Sequence, residues 1–386
     1  MSAPPAWWAL LLGNFAIGCG VMVAPGALND LVRELQVSVA LGGQLVAVSA
    51  VVMAVGAPLI AALAGGADRR RMLTLAMLWY AIGHALAALM PDYASLLPVR
   101  AASVLSAAAF TPQAAAALSV MVPPAQRGRA IAFVFLGWSL ASVAGLPISS
   151  WIAETAGWRW AFALVALLSL PAAAAVWRTM PDGVRPARLS LAQWGGVFAS
   201  PRLMAVIGVT VLSAAGQFTL FSYMAPYYRQ VLGASPAQAS ALFLVFGVFA
   251  LLGNLLLARH IDRLGPARCV AIGLTAMALA ICAWPWAGGV AAMALVLVPW
   301  ALGSFSSNSA QQARLGAAAP VLASALMALN TSAIYAGQAI GAAGGGALFV
   351  ASGWRWLWLA ALAWMLAALA LSRWAQRRMH GVGSHG

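Results

Sequence analysis

The chain has 386 residues, 63% of them hydrophobic and only 7% charged, with a net charge of +14. A soluble protein of this length needs a far larger charged surface, so nearly all of the chain must face lipid or other membrane helices. The cations are all arginines, set singly or in short clusters between apolar runs, which is the layout of loop anchors on one membrane face rather than of a nucleic-acid groove.

The N-terminal segment has no basic residue before its apolar run and reads as a retained span, not a cleaved signal peptide. Apolar runs long enough to cross a hydrocarbon core of ~30 Å fall near Trp7–Leu28, Val39–Ala64, Met72–Met90, Ser95–Val122, Ala130–Ile152 and Trp160–Trp177. After a polar gap come Leu203–Met224, Ala237–Ala258, Cys269–Trp286, Val290–Gln311, Ala323–Val350 and Trp356–Trp374. An open strand edge cannot sit in lipid, so the runs predict an all-α membrane protein of about twelve transmembrane helices. The gap from Thr179 to Arg202 holds Pro181, Asp182, Gly183, Pro186 and Pro201 and reads as a linker. Within it Leu189, Leu191, Trp194, Val197 and Phe198 suit a short helix on the membrane surface. The expected units are therefore residues 1–178, the linker 179–202, and residues 203–386.

The two units repeat. Gly157-Trp158-Arg159-Trp160 closes the fifth span and Gly353-Trp354-Arg355-Trp356 the eleventh, an offset of 196 (353 minus 157). Asp68-Arg69 and Asp262-Arg263 follow the second and eighth spans at nearly the same offset. Both features mark an internal duplication. In the fifth span Gly137, Ala141, Gly145 and Ser149 recur every fourth residue, and Ala333, Gly337, Gly341 and Gly345 repeat the pattern in the eleventh. Small residues at this spacing let helix backbones touch in a membrane. The expectation is that the halves pack against each other through these stripes.

Alternate loops differ in arginine content. One set holds Arg69, Arg70, Arg71, Arg127, Arg129, Arg178, Arg185, Arg188, Arg202, Arg259, Arg263, Arg268, Arg314, Arg373, Arg377 and Arg378; the other holds only Arg33, Arg159, Arg229 and Arg355. The rich set is expected in the cytoplasm, with both termini. No Asp or Glu falls inside a predicted span: Asp30 and Glu34 sit near the outer end of the first, and Asp92 and Glu154 in outer loops. Cys19, Cys269 and Cys282 lie in or at the start of apolar runs and read as inert core residues. No Walker loop, metal-ligand spacing or Ser/His/Asp set is present. No cofactor, metal or enzymatic activity is expected.

The loop AGGADRRRML, Arg100 in LLPVRAASVL, the fifth span with Gly137, Gly145 and Pro147, the segments GQFTLFSYMAPYY and PWALGSFSSNSAQQARLGAAAP, and ALMALNTSAIYAGQAIG together resemble the major facilitator superfamily. Within it they resemble the bacterial twelve-span branch of arabinose-efflux-type and drug:proton antiporters. The resemblance covers essentially the whole chain, although the glycine usual after the Asp-Arg pair is missing at Asp68-Arg69 and kept as Gly265 in the second copy. It implies two pseudo-symmetric six-helix bundles in the cytoplasmic membrane, working as a monomer. The activity implied is export of a small organic molecule (sugar-, nucleoside- or drug-like) by alternating access in exchange for protons.

Asp68, Arg69 and Arg71, echoed by Asp262 and Arg263, would then form a gating latch, the alternative being a charge cluster that only anchors the loop. Gly137, Gly145, Pro147, Gly337 and Gly341 would lie at the moving seam. Arg100, with Asp30, would carry proton coupling; the alternative is an arginine snorkelling to the interface. His84 in the third span reads as a packed neutral histidine. The substrate site would draw on uncharged polar residues in the spans, Asn14, Gln113, Gln217, Tyr223, Asn330 and Gln338, with Asn308 and Tyr335 as further candidates; hydrogen bonding between helices is the alternative for each. The rival functions are an uncoupled facilitator or importer of the same fold, and a non-transporting sensor or scaffold.

Overall fold

The computed structural model describes residues 4–63, 66–123, 127–186, 191–319 and 322–380. Among them there is no strand. The helices are α1 (Pro5–Gly26), α2 (Leu28–Glu34), α3 (Val39–Leu63), α4 (Arg69–Leu89), α5 (Tyr93–Met121), α6 (Arg127–Leu140), α7 (Leu146–Ala156) and α8 (Trp158–Thr179) in the first half. The linker contains α9 (Leu191–Phe198), and the second half holds α10 (Pro201–Phe221), α11 (Met224–Gln230), α12 (Pro236–Leu264), α13 (Pro266–Ala283), α14 (Val290–Ala318), α15 (Ala323–Ser352) and α16 (Leu357–His380). Twelve stretches are long and apolar enough to span a membrane, and they form two pseudo-symmetric six-helix bundles. We call the end bearing both termini proximal and the opposite end distal.

The helix starts are chemically specified. Asp68, Asp92 and Ser200 each cap a helix through a side-chain oxygen, and Ser235 with Gln238 forms a reciprocal capping box. The duplicated Gly-Trp-Arg-Trp has a backbone cause: Gly157 (φ 105°) and Gly353 (φ 61°) end α7 and α15 in the left-handed region, where a Cβ is unfavourable. Capping also lengthens the helices beyond the apolar runs. Glu154, expected in a loop, lies in the last turn of α7, and Arg314, also expected in a loop, is buried inside α14 against Ser372.

Exposed Trp8, Trp177 and Trp374 sit near proximal span ends, and Trp151, Trp160, Trp286 and Trp356 near distal ones, as aromatic side chains do at the two membrane interfaces. Within the first half α1 packs on α6–α8, α4 on α5 and α8, and α3 on α5. Within the second α10 packs on α15 and α16, α12 on α14, and α13 on α14 and α16. The halves meet where α3 lies along α15, where α12 lies along α6–α7, and where α2 meets α11. Side chains interleave there: Tyr335, Ala339 and Ala342 of α15 join the core of the first half, while Met22, Leu28 and Leu146 join that of the second. The linker helix α9 docks Val197 beside Leu203 and Leu326, leaving Phe198 exposed.

Candidate functional site

The small-residue stripes pack inside the halves, not between them. A Cβ on Gly137 would strike Leu11 O and Phe15 N of α1, and one on Gly145 would strike the Cys19 thiol. A Cβ on Gly337 would strike Val211 O, and one on Gly341 Ala215 O and Thr219 N, all in α10. This corrects the expected seam: each stripe closes a crossing of the first on the fifth span of its own half. The two crossings match residue for residue at the 196 offset. A Cβ on Gly18 would strike Ala141 Cβ and one on Gly337 would strike Ala214 Cβ, the same pair of seats with the glycine exchanged; Asn14 bonds to Val134 and Thr210 to Asn330, each pair 120 residues apart. Glycines that do touch the other half include Gly43 of α3, beside Tyr223, and Gly247 of α12, whose Cβ would meet Ser142 O and Val143 Cα. In the sequence Gly247 is an isolated glycine in an apolar run, a weak signal.

Ser142 and Val143 lie in a π-helical segment, Ala141–Gly145, between α6 and α7, where Leu146 N–H reaches back five residues to Ala141 O. Buried Pro147 follows immediately. Its ring has no N–H to give and would clash with the carbonyl four residues back, so widening the helix by one residue relieves both problems.

Two uncharged polar nodes lie between the spans. In the first half Asn14 Nδ2 donates to Val134 O (3.2 Å) while its Oδ1 accepts from Thr111 Oγ1 (2.8 Å), and Trp138 Nε1 approaches Thr111 Oγ1 (3.4 Å). In the second half Ser304 Oγ donates to half-buried Gln217 Oε1 (2.7 Å), and Thr210 Oγ1 to Asn330 Oδ1 (2.7 Å). Trp138 and Phe218 each pack on the cores of both halves. Gln113 and Gln338 are buried. Tyr223 is buried as well, its hydroxyl donating to Ala342 O (2.6 Å) and its ring filling the space beside Gly43 of α3 and Gly346 of α15. Thr111, Trp138, Thr210 and Ser304 complete the nodes; nothing in their sequence spacing singles them out.

Arg100 does not snorkel. It is 1% exposed, with Nη2 donating to Gly20 O (2.6 Å), Nη1 bonded to His84 Nε2 (2.9 Å), and the guanidinium 5.7 Å from the Phe162 ring centroid. His84 Nδ1 contacts Tyr80 O (2.9 Å). A carbonyl only accepts and a guanidinium only donates, so Nδ1 carries the proton, Nε2 is bare, and the imidazole is neutral. The structure does not bring Asp30 to Arg100. Asp30 pairs with Arg33 and accepts from Trp158 N (2.6 Å), and no carboxylate pairs with Arg100 among the described residues.

At the proximal end Asp68 holds the linker. Its Oδ1 accepts from Arg71 N (3.1 Å) and its Oδ2 from Gly183 N (2.7 Å), while Arg70 bonds Trp177 O (2.6 Å) and Asp182 (2.7 Å) and Arg69 N bonds Val184 O (3.0 Å). Partial burial pulls the Asp68 carboxyl upward, but the N–H groups of Arg71 and Gly183 and the charges of Arg71 and Arg185 outweigh it and hold the group below its ordinary value. Buried Arg69 also donates to Ala67 O (2.8 Å). The contacts given above join the first half to the linker. Arg263 is exposed on α12, and the Asp262 side chain lies outside the described residues.

The distal end is where polar groups cross between the halves. Asn29 Nδ2 donates to Ala225 O (2.9 Å) and to Glu154 Oε1 (2.7 Å), and Glu154 Oε2 lies 3.7 Å from Arg229 Nε.

The chain is 29% identical over 94% of its length, and 93% of the relative's, to the inner membrane transport protein YdhP of Escherichia coli strain K12. It is 32% identical, over 86% of both chains, to a chloramphenicol resistance protein of Streptomyces lividans. Its fold superposes on the crystal structure of a D-xylose-proton symporter with a TM-score of 0.77, at 19% identity and covering 95% and 96% of the two chains. The Major Facilitator Superfamily profile matches residues 10–321 and again 206–383, and the second match starts where the duplicated crossing starts. On the matched profile, the relatives and the doubled bundle together, this chain belongs to the Major Facilitator Superfamily of membrane transporters.

Proposed function

We propose that this transporter exports neutral, ring-bearing organic molecules (sugar-, nucleoside- or drug-like) across the cytoplasmic membrane by alternating access, as a monomer and in exchange for protons. Both termini then face the cytoplasm and the distal end faces outward. The observation that carries the reading is the residue-for-residue repeat of the α1/α6–α7 crossing in α10/α15. It supports two equivalent units, residues 1–178 and 203–386, rocking about a site between them. The amide and hydroxyl nodes at Asn14–Thr111 and Gln217–Ser304, with Trp138 and Phe218 packed on the cores of both halves, suit a ligand with hydrogen-bonding groups and a flat apolar face. They offer no charge, which argues against an ionic substrate. The similarity to a chloramphenicol resistance protein supports the outward direction.

The test is expression in a drug-sensitive bacterium, with tolerance and accumulation measured for phenicol antibiotics, nucleosides and sugars. Proton movement would be followed in proteoliposomes with a pH-sensitive dye. Reduced accumulation of at least one neutral compound, with proton flow opposite to substrate, is expected. Transport indifferent to a pH gradient would leave an uncoupled facilitator, and raised accumulation would make the chain an importer. In a cysteine-free background, Ala237→Cys should react with an impermeant thiol reagent in intact cells and Ala199→Cys should not. The reverse pattern overturns the orientation.

A further inference from the structure

The chain has seven acidic residues, and Asp30, Glu34 and Glu154 stand at the distal end, where α2, α7, α8 and α11 converge. Two of these are satisfied inside the first half: Asp30 by Arg33 and Trp158 N–H, and Glu34 by Arg159. Glu154 reaches across. Its side chain is 3% exposed, accepts from Asn29, and has Arg229 of the other half as its counter-charge. Asn29 and its acceptor Ala225 are separated by 196 residues, the repeat offset itself, so they are equivalent positions that meet on the pseudo-twofold axis. The equivalents of Arg229 and Glu154 are Arg33 (229 minus 196) and Val350 (154 plus 196). That second seat has no acid, and an open groove of about 260 Å³ lies there between α3 and α15. The charge lock exists on one side of the axis only.

We infer that Glu154, Asn29 and Arg229 form the outer gate of the transporter and that Glu154 is the proton-binding group that releases it. The inference rests on the transport reading and its orientation, and adds the residue through which protons act. Separating α7 from α11 would strip a poorly solvated carboxylate of the counter-charge Arg229 supplies, which is costly. Uptake of one proton from outside onto a Glu154 carboxylate oxygen removes that charge, and Arg229 is freed to water. The only covalent change is the new O–H bond, and the Asn29–Ala225 hydrogen bond opens as the halves part.

Among the described residues no other ionisable group pairs with Glu154. Facing α7, α2 supplies Asp30 and Arg33, which pair with each other, and α8 supplies Arg159, held by Glu34. From α1 comes Cys19, and from α11 come Tyr227 and Tyr228 beside Arg229. The ionisable residues of α12, Arg259, His260, Asp262 and Arg263, lie at its proximal end.

Pulsed spin-label distances between Ala94→Cys and Ala237→Cys, in the purified full chain without its native cysteines and embedded in lipid nanodiscs, report distal opening without any substrate. The parent should show a short distance at pH 8 and a longer component growing in as the pH is lowered. Glu154→Gln, which mimics the protonated acid, should show the long component throughout, its population raised about tenfold at pH 8. Arg229→Gln should do the same. Glu34→Gln, whose pair stays within the first half, should keep the parent's response. If Glu154→Gln fails to elute as a single species, Arg229→Gln and Asn29→Ala provide the measurement. A parental distance and pH response in Glu154→Gln, or in both substitutes, overturns the inference. If the gate responds as expected while no compound is transported, the lock stands and the export reading fails.

Discussion

Gly145 and Gly341 occupy equivalent seats, yet the structure predicts different responses to the same change. In Gly145→Ala the new methyl collides with the Cys19 thiol, while the Cys19 Cβ stands 3.3 Å away. Removing that sulfur, as in Cys19→Ala, leaves a contact only slightly tighter than ordinary. In Gly341→Ala the methyl meets the Ala215 carbonyl oxygen and, at 2.9 Å, the Thr219 nitrogen. Both are backbone, so no side-chain trimming relieves them and α10 and α15 must move apart. Overpacking of this kind costs ~1–3 kcal/mol, and separating helix backbones in a membrane forfeits the close contact that small residues provide. Each single alanine variant should therefore lower the thermal midpoint, read as the fraction eluting at the native position in size-exclusion chromatography after heating. Cys19→Ala should restore Gly145→Ala to near the parent. In the second half the seat equivalent to Cys19 is already Ala215, and trimming the other neighbour, Thr219→Ala, should leave Gly341→Ala as unstable as before. Because both crossings are internal to a half, neither single variant should shift the balance between access states at temperatures where it is folded. Failure of Cys19→Ala to rescue, or a full rescue of Gly341→Ala by Thr219→Ala, would refute the packing argument.

His84→Leu removes the acceptor for Arg100 Nη1 and leaves a buried donor unmet, at a cost of ~1–3 kcal/mol. His84→Gln, which keeps an acceptor, should retain most of the thermal midpoint, and equal stability of the two variants would show that the contact contributes nothing. Asp68→Ala removes a helix cap worth ~0.5–2 kcal/mol together with the Gly183 bond, so a protease should cut the linker faster; unchanged protection would count against the clamp. The Asp68 carboxyl is held below its ordinary value, so its contribution is present above that value and is lost only as pH falls through the lowered one. Linker protection should therefore be flat between about pH 5 and pH 8.

Much of the fold was legible because lipid imposes a simple grammar. Unbroken apolar runs mark spans, and repeated tetrads such as Gly-Trp-Arg-Trp mark turns that need a left-handed glycine. The stripe from Gly137 to Ser149 was equally visible, but a helical period names a face and not the helix that face meets. It took the structure to show that the partner is α1, in the same half. Arg100 looked like an interface residue or half of an acid–base pair. Its acceptor is a histidine on the preceding span, and neutral acceptors leave no charge pattern to read. The apolar run ends before Glu154, but Gly157 sets where α7 stops and so keeps Glu154 in the helix. Its partners Asn29 and Arg229 belong to other segments, and only the converging ends of α2, α7 and α11 bring them together. The polar nodes were half found: Asn14 and Gln217 stand out as amides in apolar runs, whereas Thr111 and Ser304 do not.

The Asn14–Val134 and Thr210–Asn330 bonds each join residues 120 positions apart, which sets a schedule for biosynthesis. A ribosome adding ~5–20 residues per second needs ~6–24 s to make that much chain. For that interval the first span of each half has entered the bilayer while the stripe it must pack against is still unsynthesised. Thr111 of the fourth span can meet the Asn14 amide oxygen, but the amide Nδ2 must wait, or be held by the insertion machinery, until the fifth span arrives. The second half imposes the same delay on Thr210, so the nascent protein passes twice through an interval in which a four-span intermediate lacks the crossing that closes it.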